Sequence, residues 1–140
     1  MEAATDRLPF RSFYTRAMRK VLIVDDSQTI RRMIATSLQA LNDVKFEEAS
    51  NGLEAIEVLA RERINLMILD LNMPEMHGLE VLQFMRSHAR YSEIPIIVLT
   101  TKFDTESRRS ALDSGASQYM TKPFDPVSLR EQASSLLVSR

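Results

Sequence analysis

Apolar and polar positions alternate along the chain between two kinds of pattern. Short β-like runs occur at KVLIVD (20–25), VKFEEA (44–49), NLMILD (65–70), IPIIVLT (94–100) and SQYMTK (117–122). Between them apolar residues recur at helical spacing. Ile30, Ile34, Leu38 and Leu41 mark a first helix, Leu53, Ile56, Leu59 and Ala60 a second, and Leu79, Leu82 and Met85 a third. Ala111 and Leu112 mark a fourth, and Leu129, Ala133, Leu136 and Leu137 a fifth. The punctuation agrees with these boundaries. Asn51 followed by Glu54 has the form of a capping box, Asp125-Pro126 reads as an N-cap with proline in the first helical position, and Gly115 stands where the fourth helix should stop. Strict (βα)5 alternation with continuous apolar strands predicts an α/β fold, a doubly wound, five-stranded parallel sheet covered by helices on both faces. There is no internal repeat and no low-complexity tract.

The polar residues at the strand ends change the picture. The first run closes on Asp25 and Asp26, with no basic residue before Arg31; the third closes on Asp70, the fourth on Thr100 and the fifth on Lys122. The second ends only in Ala49 and Ser50. Open parallel sheets bind ligands beyond the carboxyl ends of their strands, where the strand order reverses. In the common order 2-1-3-4-5, strands one and three are neighbours at that point. Asp25, Asp26 and Asp70 then share a pocket, with Thr100 and Lys122 on its far side. A lone aspartate there is an ordinary helix cap, and a lone threonine or lysine is unremarked; five such residues on one rim are a site.

Three clustered carboxylates need a counter-charge. At 4 Å and an effective dielectric near 20, each pair repels by about 4 kcal/mol, and one lysine cannot neutralise them all. Oxygen donors without His or Cys suit Mg²⁺, or Mn²⁺. A carboxylate is a competent nucleophile for phosphoryl transfer, which gives Asp70 a role beyond ligation. Lys122 is placed to pair with incoming phosphoryl charge, and the Thr100 hydroxyl to hydrogen-bond one of its oxygens.

Composition narrows the partners. At 140 residues the chain is long enough for one domain with a real core. It is 44% hydrophobic and 26% charged with net charge −1, which gives no support to a nucleic-acid or membrane-surface role. With no cysteine, disulfides, zinc–thiolate sites and thiol catalysis are excluded. No apolar run approaches the roughly 20 residues of a membrane span, and the N-terminus lacks a signal-peptide core, so the expected location is cytoplasmic. Residues 1–19 stand apart from the domain, 20–140, as an N-terminal extension. Phe10, Phe13, Tyr14 and Ala17 have the spacing of a short docking helix, but a flexible tail, or a natural start at Met18, is the preferred reading.

The segments VDDSQTIRR, LDLNMPEMHG, IIVLTTK and GASQYMTKPF, in this order and at these spacings, resemble the receiver domain of two-component response regulators. Within that family the likeness is to the single-domain CheY-like chemotaxis type, and it covers residues 18–140. It implies a flavodoxin-like fold and a phosphoryl acceptor at Asp70. It also implies direct Mg²⁺ ligation by Asp26, Asp70 and the backbone carbonyl of Asn72, with Asp25 acting through water. Thr100 becomes the switch hydroxyl, Lys122 the phosphoryl-binding lysine, Tyr119 the aromatic switch residue, and Lys122-Pro123 a cis bond. The implied donor is a histidine kinase or phosphotransfer protein. The implied output is binding of a downstream protein target on the face formed by helix four, strand five and helix five, since the chain ends after the fifth helix. The protein is then a phosphoacceptor rather than an enzyme, though it catalyses its own phosphotransfer and dephosphorylation. His77 stands where the family usually has Asp and is expected to cap the third helix; Thr101 stands where Ala or Gly is common and should narrow access to an acyl phosphate. Two other readings remain: a receiver-fold binding module that acts without phosphorylation, and a Mg-dependent aspartyl-phosphate phosphohydrolase. The second needs a second Asp two residues after the nucleophile, where this chain has Asn72.

Overall fold

The computed structural model describes residues 18–102 and 104–138. Five strands alternate with five helices: β1 (Arg19–Val24), α1 (Gln28–Leu38), β2 (Val44–Ala49), α2 (Gly52–Arg61), β3 (Leu66–Leu69), α3 (Gly78–Arg86), β4 (Ile96–Thr100), α4 (Thr105–Asp113), β5 (Gln118–Thr121) and α5 (Pro126–Val138). All pairings are parallel, and the sheet order is β2-β1-β3-β4-β5. This is the expected 2-1-3-4-5 order, with the reversal between β1 and β3.

The strands read as continuous apolar runs because both sheet faces are covered. Successive side chains point to opposite faces. Val21 and Ile23 of β1, Leu66 and Ile68 of β3, and Ile97 and Leu99 of β4 pack with Ile34 and Leu38 of α1 and Leu129, Ala133 and Leu137 of α5. The alternate residues Leu22, Val24, Met67, Leu69, Ile96 and Val98 pack with α2, α3 and Ala111 of α4. β2 lies at an edge and is only half buried, which is why its run, VKFEEA, carries charged residues at Lys45, Glu47 and Glu48.

The Asp125 cap holds, its carboxylate accepting from the Ser128 N–H, and the structure adds two caps not read from the sequence, Ser27 on α1 and Asp104 on α4. Asn51 caps α2 by accepting from Glu54 N–H, but the Glu54 carboxylate reaches one residue further back, to the N–H of Ser50. The buried stripe of α2 is Ala55, Val58 and Leu59, which follow one another at helical spacing, and Leu53 is 55% exposed. Leu112 likewise lies outside the core while Ala111 is buried. Gly115, at φ +110°, ends α4 as expected; a Cβ there would meet the Arg86 side chain. Arg19, assigned from sequence to the extension, opens β1 and pairs with Val44. Phe10, Phe13, Tyr14 and Ala17 lie outside the described residues. Among those described, no helix is long and apolar enough to cross a membrane.

Candidate functional site

The rim where β1, β3, β4 and β5 end is built by extending the sheet one rung beyond each strand. Asp25 N–H donates to the Ala49 carbonyl at 3.1 Å, Asp70 N–H to the Val24 carbonyl at 2.9 Å, and Lys122 N–H to the Thr100 carbonyl at 2.9 Å. The backbone ladder therefore places Asp25, Asp70 and Lys122, with Thr100 as the last residue of β4. Asp25, Asp70 and Thr100 are buried, whereas Asp26 is exposed.

Oxygen atoms of Asp25, Asp26 and Asp70 lie within 4.8 Å of one another. Lys122 Nζ donates to Asp25 Oδ2 at 2.6 Å and stands 3.6 Å from Asp70 Oδ2. The other Asp25 oxygen accepts from Ser27 N–H at 2.9 Å, and Asp70 Oδ1 accepts from Asn72 N–H at 3.3 Å. Burial raises the Asp70 carboxyl above its ordinary range; Lys122 opposes this, the Asp25 charge adds to it, and the Asn72 amide and Thr100 hydroxyl pull it back. Three carboxylates against one ammonium leave the pocket with a formal charge of −2. An all-oxygen set of this size and charge fits a hard divalent cation, so the residues present suit the group that the sequence implied.

Each residue expected at the rim is found there. Tyr119 lies next to it rather than on it. Its hydroxyl donates to the Lys102 carbonyl at 2.5 Å, and Lys102 N–H faces Thr100 Oγ1 at 3.4 Å, so one residue connects the threonine to the tyrosine. The Lys122-Pro123 bond is cis, as expected. His77 is exposed at the N-cap of α3, and its backbone N–H donates to Glu80 Oε1 at 2.9 Å; its expected place as a cap holds. Thr101 is exposed beside Thr100.

Two neighbours of the site received no role from the sequence. Arg31 Nη1 donates to the Asp25 carbonyl at 2.7 Å while Nε donates to Glu48 Oε1 at 2.7 Å. Its only sequence signal is that it is the first base after the paired carboxylates. Gly78 packs against the Asp70 backbone so closely that a Cβ would fall 2.2 Å from the Asp70 carbonyl oxygen. A glycine opening a helix gives no hint of that contact without the fold.

Residues 21–134 match the family model for the response regulator receiver domain. The chain is 40% identical over 119 residues to a chemotaxis protein CheY homologue of Campylobacter jejuni, covering 84% of this chain and 92% of that protein. Among solved structures, chemotaxis protein CheY4 of Vibrio cholerae superposes with a TM-score of 0.79 at 36% identity, covering 86% of this chain and 100% of that one. The Mn(2+)-bound form of response regulator Rcp1 superposes with a TM-score of 0.73 at 26% identity, covering 84% and 91% of the two chains.

Proposed function

The chain belongs to the response regulator receiver family, and on that premise we propose that it accepts a phosphoryl group on Asp70 from a histidine kinase or phosphotransfer protein and signals by phosphorylation-dependent protein binding, in the manner of its chemotaxis relatives. The observation that carries this reading is the buried Asp70 carboxylate at the end of β3, within 4.8 Å of two further carboxylates and 3.6 Å from the Lys122 ammonium.

An Asp70 carboxylate oxygen attacks the donor phosphorus, an acyl–phosphate bond forms, and the P–N bond to the donor imidazole breaks, the imidazole leaving with the bonding pair. Asp26, Asp70 and the Asn72 backbone carbonyl would hold Mg²⁺ (or Mn²⁺), with Asp25 acting through water, and the bound ion offsets the repulsion between the acidic pocket and an anionic donor. Lys122 sits near enough to Asp70 to transfer its ammonium from Asp25 to a phosphoryl oxygen. Thr100 can donate its hydroxyl to a second oxygen. The same groups would serve dephosphorylation, in which water attacks the phosphorus, the P–O bond to Asp70 breaks, inorganic phosphate leaves and the Asp70 carboxylate is regenerated.

Output follows from what those groups are attached to. Thr100 reaches Tyr119 through Lys102, and Tyr119 lies on β5 against α4, clustered with Ala111 and under the Arg108 guanidinium, at the α4 side of the face proposed for the downstream partner. The test is intact mass after incubation with acetyl phosphate, with and without Mg²⁺, on the wild-type chain and Asp70→Ala. Gain of one phosphoryl group that needs both Mg²⁺ and Asp70 is expected. Failure to gain it, with a phosphorylated cognate kinase as donor as well, would leave the domain as a binding module that works without phosphorylation.

A further inference from the structure

We propose that Arg31 is a positioning residue for the divalent-metal site, fixing the Asp25–Asp26 peptide and through it the direction of the Asp26 carboxylate; this rests on the metal-binding reading above. The three aspartates are not held alike. Asp25 is fixed through its side chain by Ser27 N–H and Lys122. Asp70 is fixed by Asn72 N–H, Thr100 and Lys122. Asp26 is exposed, and among the described residues no side chain or amide bonds its carboxylate. With no such partner on its side chain, what the fold fixes for that carboxylate is the position and Cα–Cβ direction of its backbone.

The peptide that carries it begins with the Asp25 carbonyl, which accepts from Arg31 Nη1 at 2.7 Å. The guanidinium is itself immobilised: Nε donates to Glu48 Oε1 on β2 at 2.7 Å, and the side chain is 14% exposed. Its own backbone N–H donates to the Ser27 carbonyl in the first turn of α1. One planar fork thus ties the end of β1 to the edge strand and to the following helix. A rigid fork suits two acceptors at once in a way that a lysine ammonium does not.

Charge and geometry predict opposite signs here, which makes the idea testable. A guanidinium beside the pocket repels a divalent cation, so deleting it should tighten Mg²⁺ binding if charge alone matters. If positioning matters more, deletion weakens binding. Groups that orient metal ligands in this way typically account for a factor of roughly 10 or more in affinity.

The experiment is isothermal titration of Mg²⁺ into the full wild-type chain, Arg31→Gln and Arg31→Lys, with apo melting temperatures in EDTA to show that each variant is folded. Arg31→Gln is expected to weaken Mg²⁺ binding roughly 10-fold and Arg31→Lys by less, with cooperative unfolding kept. Unchanged or tighter binding in folded Arg31→Gln would overturn the proposal while leaving the metal site intact. Should Arg31→Gln not fold, Arg31→Lys carries the test: weaker binding at preserved charge supports positioning, and wild-type affinity overturns it. Absence of Mg²⁺ binding to the wild-type chain would instead sink the underlying reading, and this proposal with it.

Discussion

Replacing Asp70 by Asn should stabilise the metal-free protein at neutral pH, although it removes the proposed acceptor. Oxygens of the three aspartates lie within 4.8 Å of one another, so at an effective dielectric near 20 each carboxylate pair repels by about 3.5 kcal/mol or more. Lys122 Nζ, 3.6 Å from Asp70, returns about 4.6 kcal/mol on the same scale. Neutralising Asp70 deletes two repulsions and one attraction, a relief of about 2 kcal/mol. Solvent at the exposed Asp26 screens part of that relief, while release from burying the Asp70 charge adds to it. A net gain of about 1–2 kcal/mol corresponds to a melting temperature roughly 3–7 °C higher for a chain of this size.

The pH dependence has a fixed sign. The Asp70 carboxyl is raised in the folded state from an ordinary value near 3.8, so in the window above 3.8 the folded state binds more protons than the unfolded one. The stability that Asp70 forfeits at neutral pH is regained as pH falls through its folded value and is complete below 3.8. The advantage of Asp70→Asn should therefore be widest at neutral pH and shrink on acidification. Mg²⁺ should reverse the order, since a ligand at 100 times its Kd adds about 2.7 kcal/mol to the state that binds it, and the variant lacks one of the proposed carboxylate ligands. The assay is thermal unfolding by circular dichroism at pH 7 and pH 4, in EDTA and in saturating Mg²⁺. A variant less stable than wild type in EDTA at pH 7, or an equal Mg²⁺ response in both proteins, would refute the electrostatic account of the pocket.

Three further outcomes are expected. Thr101→Ala should lose its phosphoryl group several-fold faster than wild type, followed by intact mass after removal of acetyl phosphate; an equal or slower rate counts against shielding by the Thr101 side chain. Gly78→Ala should destabilise by roughly 1–3 kcal/mol in urea unfolding and slow labelling of Asp70, because the new Cβ would meet backbone at 2.2 Å rather than a side chain that can swing away. Arg86→Met should lower the urea midpoint by an amount corresponding to about 3 kcal/mol, since Arg86 donates to the carbonyls of Ser92, Ile94 and Gly115; wild-type stability would show those carbonyls to be satisfied by water.

What could be read from the chain, and what could not, divides along physical lines. Strands buried on both faces leave an unmistakable run of apolar residues, and a parallel sheet needs crossover helices, so β1, β3 and β4 and their alternation were legible. The rim was legible too, because the apolar runs of β1, β3 and β4 stop at Asp25, Asp70 and Thr100. Helix phase was not. Leu53 and Ala55 are both apolar and two positions apart, and it is Ala55, with Val58 and Leu59, that faces the core. The surroundings of Asp25 and Asp70 were hidden for another reason. Arg31 acts through a backbone carbonyl and Gly78 by the absence of a side chain, and neither function constrains a residue pattern visible in one sequence.

The same contacts indicate which element answers the site. A phosphoryl group on Asp70 would bring roughly two negative charges and three acceptor oxygens. Charge-assisted bonds from Lys122 and Thr100 contribute about 1.5–3 kcal/mol each, comparable in sum with the about 5.5 kcal/mol that moves a two-state equilibrium from 1:99 to 99:1. The Thr100 oxygen that would face the phosphoryl group also accepts from Lys102 N–H, and Lys102 is the residue whose carbonyl holds the Tyr119 hydroxyl, so a shift of Thr100 is passed to Tyr119 through one residue. The helix that follows, α4, buries only Ala111 among its described residues. Its far end is tied down by Arg86 on the Gly115 carbonyl, whereas its near end has the Asp104 cap and the Lys102 tether. A helix that rests on a single buried alanine has little apolar packing to lose when it moves. The N-terminal half of α4 is therefore where phosphorylation should be felt first, and amide hydrogen exchange that changes at residues 104–108 no more than at 111–115 would exclude this route.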